Sequence, residues 1–191
     1  MEEERSKKIF TIPNILSFFR FVLAFVFAYV YLNASTTKEY YIAALIIVIS
    51  GLTDVVDGKI ARHFHMISEL GKILDPVADK FTQGIVALCL IKRFPWMLAL
   101  FILFILKESY MAIRGIMVLK VTGQNSGALW FGKLNTVALY AVLFLLLAIP
   151  NMPVTVSRIL IILCMCVMLF AFFMYAKTYH QLIKEYSQKT H

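Results

Sequence analysis

Apolar residues run along this chain in long stretches separated by short polar ones. Six stretches come close to the roughly 20 residues that a helix needs to cross a bilayer. They extend from about Ile12 to Leu32, Tyr40 to Ala61, Gly71 to Ile91, Pro95 to Leu119, Trp130 to Ile149 and Val154 to Ala176. The pattern predicts an all-α polytopic membrane protein: six transmembrane helices behind a short N-terminal interfacial segment, forming one membrane domain over residues 1–191. Pro76 fits the first turn of the third span, where its missing N–H costs nothing. Polar residues interrupt the spans at few places. Arg20 lies toward one end of the first span, Asp54 and Asp57 in the last turns of the second, and Lys107, Glu108 and Arg114 in the second half of the fourth.

Composition agrees with this class: 61% of residues are hydrophobic and 16% charged, with a mean hydropathy of +0.79. No polar stretch is long enough for a second domain, and there is no internal repeat or low-complexity tract. The opening MEEERSKKIF is too polar for a signal peptide and leads into an apolar run without a small-residue cleavage site, so it is expected to remain on the mature chain. With six spans, both termini share one side. That side carries Lys59, Arg62, Lys72, Lys120 and Lys133, and Arg5, Lys7, Lys8, Lys177, Lys184 and Lys189 at the ends. The opposite connections carry Lys38, Lys92 and Arg93. The positive-inside rule then places the termini in the cytoplasm of a multi-pass cell-membrane protein, and the net charge of +8 also favours anionic membrane lipid. Cys89, Cys164 and Cys166 lie within apolar spans without metal-ligand spacing and read as packing residues. No P-loop, Ser/His/Asp arrangement or nucleic-acid module is present, so no nucleic-acid partner is expected.

All four aspartates of the chain fall between residues 54 and 79. Asp54 and Asp57 are spaced i, i+3 and Asp75 and Asp79 i, i+4, so on helices each pair projects from one face. An isolated carboxylate in a membrane costs at least about 2.5–3.5 kcal/mol, which calls for compensating positive charge. Two divalent cations would balance four carboxylates. Ligands that are all oxygen favour Mg²⁺ or Mn²⁺ over zinc.

Written out, the stretch is Asp54-x-x-Asp57-Gly58-x-x-Ala61-Arg62, a spacer, and Gly71-x-x-x-Asp75-x-x-x-Asp79. It resembles the complete signature of the CDP-alcohol phosphatidyltransferase family, whose enzymes move a substituted phosphate from a CDP-linked donor to an alcohol and release CMP. The resemblance implies that Asp54, Asp57 and Asp75 hold two metal ions. Asp79 would lie beside them as the general base toward the acceptor hydroxyl. Gly58, Ala61 and Gly71 would frame the cytidine, and Arg62 would support the phosphates or the carboxylates. Read without the aspartates, the same small residues would signify close helix packing. His63 and His65 lie in the spacer, at positions the signature leaves variable, and read as an interfacial loop.

The likeness extends outward. Ile12-Pro13-Asn14-Ile15-Leu16-Ser17-Phe18-Phe19-Arg20 is similar to the opening of bacterial phosphatidylglycerophosphate synthases and related cardiolipin synthases, where Asn14 would approach the nucleotide. Gly132-Lys133-Leu134-Asn135-Thr136 resembles an element of the same branch in which Lys133 would suit an acceptor phosphate, as Arg114 would. Arg62, Lys72, Lys107, Arg114 and Lys133 all fall on the side of the aspartates, where phosphates must be held. Two departures concern the acceptor. Lys107-Glu108 stands where phosphatidylglycerophosphate synthases usually carry Arg-Glu, and a lysine does not reproduce a bidentate guanidinium contact. Asn135 is nearer the cardiolipin-synthase form. The resemblance therefore implies CDP-diacylglycerol as donor, glycerol 3-phosphate as acceptor with phosphatidylglycerol as the alternative, and a homodimer. A membrane prenyltransferase would be expected to carry two widely separated aspartate motifs, a cation transporter has no use for Gly58, Ala61 and Gly71 at these spacings, and a silent scaffold relative would have lost a metal ligand.

Overall fold

The computed structural model describes residues 12–63, 69–122 and 129–189. Among them all regular structure is helical: α1 (Ile12–Asn33), α2 (Thr37–His63), α3 (Glu69–Leu90), α4 (Met97–Thr122), α5 (Trp130–Ala148) and α6 (Val154–Lys189). The six helices coincide with the six apolar stretches, but only three are long and apolar enough throughout to cross a membrane: Asn14–Asn33, Trp130–Ala148 and Val154–Lys184. The other three carry charge near one end or in the middle. Asp54, Asp57, Lys59 and Arg62 shorten the apolar part of α2, Lys72, Asp75, Asp79 and Lys80 that of α3, and Lys107, Glu108 and Arg114 that of α4.

The helices form two compact units, the first built from α1 to α3 with Leu146–Asn151, the second from the remainder of α4 to α6. In the first unit α1 packs on both α2 and α3. Its buried positions are Asn14, Ser17, Arg20, Ala24, Phe27 and Tyr31, a single seam at three- and four-residue spacing. Along this seam the chemistry changes, polar in the first half and apolar in the second. The apolar half is an aromatic and small-residue core. Phe27 lies 5.5 Å from Tyr31, and Tyr31 meets Tyr40 edge-on at 5.2 Å; Ala43, Ala78, Val86 and Ala87 are buried within the unit. Outside the seam, Phe18, Val22, Phe25, Tyr29 and Leu32 are exposed, the arrangement expected of a helix whose outer face meets lipid.

Local signals set the turn between α1 and α2. Thr36 caps α2, its Oγ1 facing the Glu39 N–H at 3.4 Å, while the Glu39 carboxylate accepts the N–H of Thr36 at 2.9 Å and of Ser35 at 2.6 Å. This is a capping box, which satisfies backbone donors that a helix start leaves open. At the C-terminal end of α1, Lys92 Nζ donates to the Leu32 carbonyl at 2.6 Å, placing a positive charge where the helix dipole favours one.

One expectation is corrected here. Because α3 begins at Glu69, Pro76 lies inside the helix and not in its first turn. A proline there cannot donate to the carbonyl of Lys72 four residues earlier, so the helix that carries Asp75 and Asp79 lacks one ladder bond beside them.

In the second unit α4 packs on α6, and a core forms from Val118, Phe131, Ala171, Tyr175 and Tyr179. Phe131 meets Tyr175 edge-on at 4.6 Å. Gly132, next to Phe131 on α5, packs tightly on this core: a Cβ there would lie 2.1 Å from the Tyr175 hydroxyl oxygen and 2.9 Å from Cζ. Arg158 stacks over Trp96 at 5.3 Å.

Two tests follow from these contacts. Gly132→Ala is expected to lower stability by about 1–3 kcal/mol through overpacking against Tyr175, read as a fall in Tm of the purified protein. Gly51→Ala, at a helical glycine with nothing within 4 Å, is expected to keep or raise it. For the capping box, the hydrogen bonds from Ser35 and then Thr36 hold the Glu39 carboxyl below its ordinary value of 4.5. A depressed folded-state pKa means that this contribution is complete above the unfolded-state value and is lost as pH falls through the folded one. Hydrogen-exchange protection at Ser35 and Thr36 should therefore weaken on acidification in the wild type, and Glu39→Ala should show weak protection at every pH.

Candidate functional site

The polar half of the α1 seam faces the aspartates. Arg20 is 1% exposed, and its guanidinium reaches carboxylates on two other helices. Nη1 donates to Oδ1 of Asp54 on α2 and, at 2.6 Å, to Oδ1 of Asp79 on α3. Nη2 lies 3.4 Å from Oδ1 of Asp75 and 3.3 Å from the Ser17 hydroxyl. Ser17 in turn donates its own hydroxyl proton to Oδ1 of Asp75. A guanidinium suits this position because its planar fork offers five N–H donors, so a single cation can bridge three carboxylates.

The charges are unequally buried. The Arg20 side chain is 2% exposed, whereas those of Asp54, Asp75 and Asp79 are 39%, 40% and 35% exposed. Each carboxylate thus turns one oxygen inward to the arginine and keeps part of its surface open. Within these contacts three carboxylates meet one guanidinium, an excess of negative charge that Lys80, next to Asp79, offsets in part.

Of the other residues singled out from sequence, Asn14 is buried on the same α1 seam, and Gly71 is buried one turn before Asp75 on α3. Asp57, Gly58, Ala61 and Arg62 lie on the last turns of α2, with side chains outside the described residues. Lys107, Arg114 and Lys133 belong to the second unit. Lys107 is 2% exposed and pairs with the adjacent Glu108 at 2.6 Å, so its ammonium is already engaged by a carboxylate. Arg114 is half-buried, with Nη1 4.0 Å from the Met117 sulfur. Lys133 is exposed in the first turn of α5, directly after the glycine that packs on Tyr175.

Ser17 and Arg20 belong to the cluster, although the sequence alone assigns neither of them a role. The signal was present: a lone arginine in an otherwise apolar span must find anionic partners. Gln83 escaped notice as well. It is buried on α3 one turn beyond Asp79, and among the described residues neither of its amide atoms has a hydrogen-bond partner.

The donors at the cluster fit a hard divalent cation in chemistry and in charge, being carboxylate oxygens with negative charge to spare. Among the described residues, no group of three or more His, Cys, Asp or Glu side chains is arranged to hold an ion by itself. The oxygens that face inward converge on Arg20, and the side chain of Asp57 is outside that set.

The sequence that builds this cluster is also similar to known proteins. The chain is 35% identical over 83 residues to a CDP-diacylglycerol–glycerol-3-phosphate 3-phosphatidyltransferase of Rickettsia typhi, 43% of this chain and 46% of that protein. It is 41% identical over 87 residues to a cardiolipin synthase (CMP-forming)/mitochondrial hydrolase fusion protein of Schizosaccharomyces pombe, 46% of this chain and 14% of the other. A putative cardiolipin synthase of Mycobacterium bovis is 41% identical over 73 residues, 38% of this chain and 34% of its own. The chain therefore spans less than half the length of each of these relatives. A family description matches far more of it, residues 10–175, which take in the α1 seam, both aspartate pairs and the lysine element of α5. With the aspartate signature complete in the sequence and the carboxylates of Asp54, Asp75 and Asp79 gathered across α2 and α3, the chain belongs to the CDP-alcohol phosphatidyltransferase family.

Proposed function

We propose that this protein transfers a phosphatidyl group from CDP-diacylglycerol to an alcohol and releases CMP, with glycerol 3-phosphate as the acceptor. The observation that carries the reading is the cluster of Asp54, Asp75 and Asp79 around Arg20, half-open carboxylates with uncompensated negative charge, set within the family's signature. The names of the Rickettsia proteins support glycerol 3-phosphate. Phosphatidylglycerol is the second reading, favoured by Asn135 and by the relatives named as cardiolipin synthases.

Asp54, Asp57, Asp75 and Asp79 would hold Mg²⁺ or Mn²⁺, two ions for four carboxylates. When bound, such ions neutralise a diphosphate and make its phosphorus more electrophilic. Asp79 would take the proton of the acceptor hydroxyl as that oxygen bonds to the phosphorus next to the diacylglycerol. The bond from this phosphorus to the bridging oxygen breaks, and CMP leaves with the electron pair. Asn14, Gly58, Ala61 and Gly71 would admit the nucleotide, and Arg62 would steady its phosphates. Of the three basic candidates in the second unit, Lys133 would bind the acceptor phosphate, a reading supported by its exposure at the start of α5 and by the pairing of Lys107 with Glu108. A cytoplasmic site and a homodimer complete the proposal.

Purified protein given CDP-diacylglycerol and Mn²⁺ or Mg²⁺ is expected to release CMP with glycerol 3-phosphate, the lipid product being identified by mass. Asp75→Asn should abolish turnover, and near-wild-type activity in that variant would contradict the assigned role. CMP release with phosphatidylglycerol alone would make the protein a cardiolipin synthase. Lys133→Ala should raise KM for glycerol 3-phosphate and leave that for the lipid donor nearly unchanged; a parallel rise in both would remove the lysine from the acceptor site.

A further inference from the structure

Arg20 is a charge that no step of the transfer uses, yet it is the most buried ionic group of the site and touches more of it than any other described side chain. It stands on α1, while its partners stand on α2 and α3, so its bonds fix three helices relative to one another at the level of the carboxylates. In every one of these bonds the carboxylate uses Oδ1. The Oδ2 atom of each aspartate is outside the bonds to the guanidinium, and the side chains are 35–40% exposed. Ser17 adds a second hold on Asp75 from one turn earlier on α1.

We propose that Arg20, assisted by Ser17, is the positioning residue of the metal site: it draws one oxygen of Asp54, Asp75 and Asp79 inward and so presents the second oxygens to a divalent cation. The inference rests on the metal-dependent reading of the site given above. Without the guanidinium, the three carboxylates would lose the cation they share, and like-charge repulsion would drive them apart. With it, the cluster is preassembled and still anionic, and the ion meets ligands whose second contacts are already made. Partners of this kind, which hold a ligand by its other atom, typically change metal affinity or activity by about 10–100-fold when removed. Lysine is a poor substitute, since one ammonium at the end of a flexible stem lacks the fork that spans three acceptors.

The test uses the full-length protein purified in detergent, without substrates, and reads direct Mn²⁺ binding from the free-ion signal in electron paramagnetic resonance together with the Mn²⁺-induced rise in Tm. Arg20→Gln is expected to weaken Mn²⁺ binding about 10–100-fold. Arg20→Lys should restore only part of it. Ser17→Ala, which removes a single hydroxyl and is expected to fold whatever becomes of Arg20→Gln, should weaken binding by a smaller factor. Arg20→Gln or Ser17→Ala binding Mn²⁺ as tightly as the wild type, or tighter, would overturn the proposal and leave the proposed reaction standing, because the arginine would then compete with the ion. Wild-type protein that binds no Mn²⁺ would remove the metal reading and this inference with it.

Discussion

The first unit is organised by a positive charge that cannot reach water. Arg20 lies on a helix whose remaining seam is small, aromatic or weakly polar, and such a charge is tolerated only where anionic partners meet it. Those partners come from α2 and α3, so the electrostatic need of one residue fixes where three helices converge. Removing one member of a buried ion pair costs about 3–5 kcal/mol when the other is left without compensation. The half-open carboxylates would moderate that figure, because water reaches them. The arginine itself has no such relief, and α1 is therefore held in register by its polar end as firmly as by its aromatic one.

Much of this was readable from the sequence, and for a physical reason. Long apolar runs report a membrane environment without reference to any partner, and each of the six runs is a helix, although the last helix continues to Lys189, well past the Ala176 at which its apolar run ends. The aspartate spacing places carboxylates on common faces by helix geometry alone, and the structure gathers Asp54, Asp75 and Asp79. The pairing of Arg20 could not be read in the same way, because its partners lie 34, 55 and 59 residues along the chain. Its need for partners was visible, and their identity was not. Helix boundaries were also less secure than helix existence. The start of α3 at Glu69 moves Pro76 from a harmless first turn to the interior, since local capping sets a boundary and apolar length does not.

The basic residues differ from the aspartates in this respect. A carboxylate pair at helical spacing carries its geometry with it, whereas Lys107, Arg114 and Lys133 have only side and sign in common. The structure sorts them by environment. Lys107 spends its charge on Glu108, Arg114 is partly covered, and Lys133 remains exposed. The glycine before Lys133 is fixed by Tyr175, which sets the backbone from which that lysine extends. The aspartates thus carry their geometry in the sequence, while the environments of these basic residues are set by packing.

The seam of α1 also works as a ruler. At 1.5 Å per residue, Asn14 and Arg20 are about 9 Å apart along the helix, and Tyr31 lies about 16 Å beyond Arg20. Under the proposed reaction, a diacyl lipid whose head group lay level with the first interval would keep its hydrocarbon beside the second and could enter sideways from the leaflet without lifting its tails out of the bilayer. A phosphorylated polyol, having no tails to accommodate, would approach from the aqueous end. Two substrates of opposite solubility would then meet at one depth by different routes, and neither would have to pass the other.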